Sequence, residues 1–335
     1  MDLTHLDLLR ELADRGSVTA VAEATHRSPS AVSQQLKTLQ RQLGVELVRR
    51  VGRGVELTEA GRALARASVG VATAVAEAEA AFEAVRGGTG GVVRVSMFAS
   101  AAELLLPGLL HRMRTHAGIE LEVADRDVSE DEFAPLTADF DVVLAHRSDG
   151  VLPPGREALT VVSLVREPLE VALPLDHPLA DRSRVAIDDV IREPWIGVPE
   201  GYPIDRVLVS MALQSGVAPL VVHRTVHLPL IEDLVAAGHG VALVPRHTSA
   251  SRAPGRFHLA TLENVRAGRH LEALLRPDRA ARPAVRTVVD EIRAEASSIS
   301  RHETDRRTVS QRHSRTDSTA SGLDASPMST GSSTR

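Results

Sequence analysis

Three groupings in the 335 residues have types and spacings that chemistry uses. His223 and His227 stand four apart, Glu130, Asp131 and Glu132 are consecutive carboxylates, and "GGTGG" at 87–91 has the glycine content of a phosphate loop. None completes its motif. The histidines fall in "PLVVHRTVH", a strand-like run that puts them on one face without the helical geometry of a paired-histidine metal site. Three successive carboxylates diverge and cannot converge on one substrate, and the exposed start of a helix accounts for them. No Gly-Lys-Ser/Thr follows the glycines, so they read as a flexible joint. There is no cysteine, which removes disulfides, cysteine-ligated zinc and a thiol nucleophile. Neither Gly-x-Ser-x-Gly nor Gly-x-Gly-x-x-Gly after a strand occurs. The sequence therefore predicts no enzyme, no metal and no cofactor.

The grouping that survives is polar rather than catalytic. "SPSAVSQQLKTLQRQLG", residues 28–44, places Val32, Leu36, Leu39 and Leu43 on one helical face and Ser30, Ser33, Gln34, Lys37 and Arg41 on the other. Ser28 is positioned to cap this helix and Pro29 to open it. The net charge of −5 hides a local bias. Between Arg27 and Arg53 there are six bases against Glu46 alone, and Lys37 is the only lysine of the chain. A solvated face is the plain reading of such a run. With one Trp and one Tyr, a stacking platform for single strands is not supported.

Its neighbours give the polar face a purpose. "LTHLDLLRELADR" is an amphipathic helix stopped by Gly16, and "SVTAVAEAT" is a short helix with a face of small apolar residues. A tight break at His26–Arg27 then leads into the helix from Ser28. This is a helix-turn-helix pattern, whose second helix offers small polar side chains to base edges in a major groove. "VELVRRVGRGVELTEAG" reads as a hairpin with basic residues at its tip, a wing for the phosphate backbone or the minor groove. Thr58 caps a long helix at 59–86. There Leu64, Val71, Ala78 and Val85 recur every seven residues, with alanines between them and Val75 and Phe82 beside them, a seam suited to a second copy of the chain. Beyond 91, strands alternate with helices, which predicts α/β lobes on mostly parallel sheets. From Ser297 the chain is rich in Ser and Thr and reads as a disordered tail.

In that order of parts the chain resembles the LysR-type transcriptional regulators over residues 1 to about 296. The resemblance is most specific in "GSVTAVAEATHRSPSAVSQQLKTLQRQLGVELVRRVGRGVELTEAG", with support from "EPLEVALPLDHPLA", "REPWIGVP" and "LVAAGHGVALVP". It implies an α/β protein with a winged helix-turn-helix at 1–58, a linker and dimerisation helix at 59–86, a hinge at 87–91 and a two-lobed effector domain at 92–296 resembling periplasmic binding proteins. Residues 297–335 remain as the tail. By position, Pro29, Ser30, Ser33 and Gln34 correspond to the family's major-groove readers and Arg53 to its wing arginine, with Lys37 completing the DNA-facing set. Gln40 stands where the family has an acid, and Val48 where it has an aromatic that packs the wing.

Ligand groups in such a fold gather at carboxyl ends of strands and at helix N-termini. That selects Ser100, His146, Tyr202 and His227 for an anionic or polar metabolite. Each also has a purely structural reading, an N-cap for Ser100 and a surface position for either histidine. The partners implied are double-stranded DNA with an interrupted palindrome, a small-molecule effector, further copies of the chain as dimer or tetramer, and RNA polymerase. No run reaches the length of a membrane span and no signal-peptide pattern opens the chain, so a cytoplasmic location is expected. A secreted solute-binding protein, the other reading of the two lobes, would not need the first 86 residues.

Overall fold

The computed structural model describes residues 2–52, 54–86, 90–150 and 152–299. Met1, Arg53 (the expected wing arginine), residues 87–89 of the expected hinge, Val151, and the expected tail from 300 onward lie outside the described residues.

Helices α1 (Leu3–Arg15), α2 (Val18–Ala24) and α3 (Pro29–Leu43) close on one apolar cluster that includes Leu9, Leu12, Val21, Val32, Leu36 and Leu39. Each buried leucine contributes roughly 1.5–3 kcal/mol. The ends follow local chemistry. The Asp2 carboxylate accepts from Thr4 N–H ahead of α1, and Gly16 and Gly44 end α1 and α3 in the left-handed conformation. Strands β1 (Val48–Val51) and β2 (Gly54–Leu57) pair antiparallel as the hairpin.

Thr58 Oγ1 accepts from Gly61 N–H at 3.0 Å and opens α4 (Glu59–Arg86). A Cβ at Gly61 would run into the Leu47 carbonyl, so only glycine lets α4 approach the root of the wing. The first half of α4 buries Ala65 and Ser68 beneath the helix-turn-helix. From Val71 onward, Val71, Val75, Ala78, Phe82 and Val85 recur at i, i+4, i+7, i+11 and i+14 and are exposed, Phe82 by 62% and Val85 by 87%.

The rest is two lobes that share one strand. Lobe I orders its strands β4 (Ile119–Asp125), β3 (Gly91–Met97), β5 (Val142–Ser148), β12 (Gly268–Leu275) and β6 (Thr160–Pro174). It is packed by α5 (Ala99–Met113), the short α6 (Phe133–Leu136) and a C-terminal helix, α12, over 283–299. The one-turn α11 (Pro277–Ala281) links β12 to α12. In lobe II, β6 continues between β10 (Ala242–Pro245) and β11 (Phe257–Leu262), and the two-residue β7 (Arg184–Val185) lies parallel to β11 at the edge. The parallel pair β8 (Pro194–Gly197) and β9 (Leu220–Arg224) joins through a Trp195–Val241 bridge. Helices α7 (Ile187–Val190), α8 (Pro203–Ser215), α9 (Leu228–Ala236) and α10 (Arg246–Ser249) complete the lobe.

The expectation of mostly parallel sheets is corrected. β12 is antiparallel to both β5 and β6, and β10 and β11 are antiparallel to β6. The chain crosses to lobe II on β6 and returns on β12, so the two crossings lie side by side in opposite directions. α12 continues to 299 because Ile299 still packs on the core of lobe I. Among the described residues, no helix is long and apolar enough to cross a membrane.

Candidate DNA interface and effector cleft

The exposed face of α3 is built on a rigid base. Ser28 Oγ accepts from Ala31 N–H at 3.2 Å, and Pro29 occupies the first turn. With Val32, Leu36 and Leu39 buried, Pro29, Ser30, Gln34 and Lys37 stand in solvent and Ser33 is half-buried. Among the described residues, the Gln34 and Lys37 side chains make no hydrogen bond or ion pair, so both are available to a partner. Gln40 is more than a departure from the family. Its Oε1 accepts from Leu47 and Val48 N–H, each at 2.8 Å, and ties the start of the wing to α3. That bond fixes the wing root without the aromatic that Val48 replaces.

The second site lies between the lobes. Ser100, Asp127, His146, Tyr202 and Arg269 surround a cavity of about 30 Å³, closed on the lobe II side by Val198, Ile204, Leu228 and Ile231. Ligand sites are typically about 300–1,000 Å³, well above this volume. Arg269 organises the polar wall. Its Nε and Nη2 donate to Glu167 Oε2 at 2.9 and 2.7 Å, and Nη2 also donates to Ser100 Oγ at 3.0 Å. Glu167 is wholly buried and also accepts from the backbone of His247 and Thr248 at the start of α10. His146 stacks on Phe98 with ring centroids 4.2 Å apart. Burial, with Arg269 beside it, pushes its pKa well down and favours the neutral ring.

Three of the four expected cleft residues, Ser100, His146 and Tyr202, therefore line one cavity. Tyr202 also spans the lobes, its hydroxyl donating to the Asp127 carbonyl at 3.2 Å. His227 does not line the cavity. It is the cap of α9, with Nδ1 accepting from Leu230 N–H at 3.3 Å. Pro229, just inside the helix, is the sequence signal for that role.

Asp127 and Arg269 escaped the sequence reading. Asp127 follows the carboxyl end of β4, the rule that selected Ser100. Arg269 is a charge in a buried strand, and such a charge needs a buried partner.

Asp127 has a buried Oδ1 without a partner, and burial, against the nearby Arg269, pushes its pKa up to about 6. A carboxyl raised in the folded state stabilises the protein only while protonated, so its contribution falls as pH rises from about 4 through about 6. Asp127→Asn should accordingly raise thermal stability at pH 7.5, by about 1–2 kcal/mol, and leave it unchanged at pH 4. Parallel thermal melts at the two pH values check this.

Residues 3–62 match the bacterial regulatory helix-turn-helix protein family of the lysR type, and residues 86–297 match the LysR substrate binding domain. The chain belongs to the LysR family of transcriptional regulators: a DNA-binding helix-turn-helix joined to an effector-binding domain. Among curated relatives it is 29% identical to the regulator CbbR of Xanthobacter flavus over 301 residues, 89% of each chain. It is 28% identical to the transcriptional dual regulator GltC of Bacillus subtilis over 255 residues, covering 76% of this chain and 84% of the relative. The fold matches a full-length OxyR variant of Pseudomonas aeruginosa with a TM-score of 0.61 at 21% identity, covering 88% of this chain and 95% of that one. It also matches CbnR in complex with its target DNA, with a TM-score of 0.50 at 20% identity, covering 88% and 100%.

Proposed function

We propose that α3 reads bases through Ser33 and Gln34, with Pro29, Ser30 and Lys37 beside them and Arg53 of the wing on the DNA backbone. A homodimer paired along α4 presents two such helices to the halves of an interrupted palindrome. The observation that carries this reading is the exposed, unpartnered Gln34 and Lys37 on a helix whose other face is locked into a core. The interlobe cleft takes a small effector at Ser100, Asp127, His146, Tyr202 and Arg269. Of the anionic or polar metabolite expected, the polar one fits better: Arg269 is already paired with Glu167, and the groups left without a partner are Asp127 Oδ1 and the buried His146 Nε2. Binding rather than turnover suits these groups, because the Ser100 hydroxyl is held as an acceptor by Arg269, itself locked on Glu167. Residues 1–58, 59–86 and 92–296 act as reader, pairing helix and sensor, and a regulator of DNA works in the cytoplasm.

Lys37 supplies the test, since it is the only lysine. Acylation by an amine-reactive ester, read by mass spectrometry, should modify Lys37 in the free protein. It should be suppressed by a genomic DNA fragment that the protein retains, and less by a shuffled duplex. Equal labelling with and without the fragment would place Lys37 away from the DNA.

A further inference from the structure

The same-chain contact between the DNA-binding helices and lobe I is ionic and reciprocal. Arg276, directly after β12, is 5% exposed, and its Nη1 lies 2.8 Å from Glu11 Oε1 and 3.1 Å from Asp14 Oδ2, both on α1. In return, Arg10 of α1 reaches Asp278 at 3.1 Å. Arg15 donates to Asp139 at 2.8 Å and to the Ala138 carbonyl at 2.9 Å. Positions 10, 11, 14 and 15 share one side of α1. Burial favours neutral Asp14, whereas Glu11, despite its burial, is held below its usual range by Arg15 and Arg276. An arginine this buried needs its carboxylates, and two of them come from the other domain.

The strand that ends at this seat begins at the cleft. Arg269, in the polar wall of the cavity, and Arg276 are seven residues apart on β12 and the residue after it, a span of about 23 Å. β12 is buried along most of its length and hydrogen-bonded on both sides, to β5 and β6. At its one bulge, between Leu271 and Glu272, the Glu272 carboxylate is held by Arg147 at 3.1 Å and Arg156 at 2.5 Å. A strand so clamped moves as a unit and passes a displacement on, where loosely packed side chains would absorb it.

We propose that lobe I is a docking seat for helix α1 of its own chain and that strand β12 conveys the state of the interlobe cleft to that seat. The seat fixes the direction in which α3 is presented, so a change at the cleft re-aims α1 and α3 relative to lobe I within one chain. This needs no particular effector, because the cleft can be perturbed at Glu167.

The absence of cysteine makes the test direct. Cysteines introduced at exposed Glu23 of α2 and exposed Thr115 after α5 carry spin labels, and labelled chains are diluted into excess unlabelled chains so that each distance is measured within one chain. The parent should give one narrow distance distribution. Arg276→Ala should broaden it. So should Glu11→Ala with Asp14→Ala, which leaves the effector domain untouched and covers the case in which Arg276→Ala fails to fold. Glu167→Gln, made in the cleft, should shift or broaden the same distribution. An unchanged distribution in the seat variants overturns the docking. A change in them but none in Glu167→Gln overturns the role of β12. A narrow distance seen only between differently labelled chains would assign the seat to a second copy and overturn the proposal.

Discussion

Replacing Val71 and Ala78 by glutamate should convert the protein to monomers and weaken operator binding by about 100-fold or more. The expectation follows from how α4 divides its surface. Its first half spends its small residues on the helix-turn-helix core, where Ala65 and Ser68 are buried. From Val71 onward it leaves Val71, Val75, Phe82 and Val85 exposed in one stripe, which costs solubility unless a partner covers it. Two glutamates per chain put four like charges into a paired seam, far more than a few valine contacts can offset. A monomer holds only one half-site and loses the gain from linking two. Sedimentation velocity and operator titration measure the two effects. A dimer that persists in this variant would remove α4 as the pairing element.

The second large effect is in the cleft. Glu167→Ala should destabilise the effector domain by about 3–5 kcal/mol, because it strands a buried guanidinium. Arg269 is 2% exposed, with Nε and Nη2 both on Glu167, and no water can replace that carboxylate without opening the lobes. The start of α10 loses an acceptor in the same change. The double variant Glu167→Met with Arg269→Met should be more stable than Glu167→Ala alone, since it removes the uncompensated charge as well as the pair. Thermal unfolding of the two variants decides it, and a single variant as stable as the parent would mean that the pair carries no structural role.

The DNA-binding half was legible because its signals are local. Ser28, Pro29 and Gly44 bracket α3, Thr58 opens α4, and the apolar spacing separates buried from exposed faces within one helix. The reach of Gln40 to the wing was not legible, because a glutamine on a helix flank looks like any solvated residue. In the lobes, "LEVALP" showed only the end of β6, whose earlier residues alternate weakly. "FHLATL" is too short and mixed to stand out as a strand. The polar wall was half visible. Ser100 and Tyr202 sit at the starts of helices, where sequence rules look, and His146 lies near the end of β5, two residues before its last. The Arg269–Glu167 pair joins strands about a hundred residues apart in the chain, and no local pattern couples them. Arg10, Glu11, Asp14 and Arg15 read as the wet side of α1, because nothing nearby in sequence reveals that Arg276 and Asp278 cover it.

The central claim is that α3 reads base identity, and Gln34 tests it most directly. A genomic fragment retained by the protein and a shuffled duplex of equal length serve as the two targets, with binding isotherms measured for the parent and Gln34→Ala at one salt concentration. A lost side-chain contact to a base edge should cost about 1–3 kcal/mol on the retained fragment, roughly 5- to 150-fold in affinity, and little on the shuffled duplex. Arg53→Ala, which removes the proposed backbone contact, should weaken both duplexes alike and flatten the salt dependence. If Gln34→Ala instead loses the same affinity on both duplexes, or none on either, α3 does not read sequence through this residue.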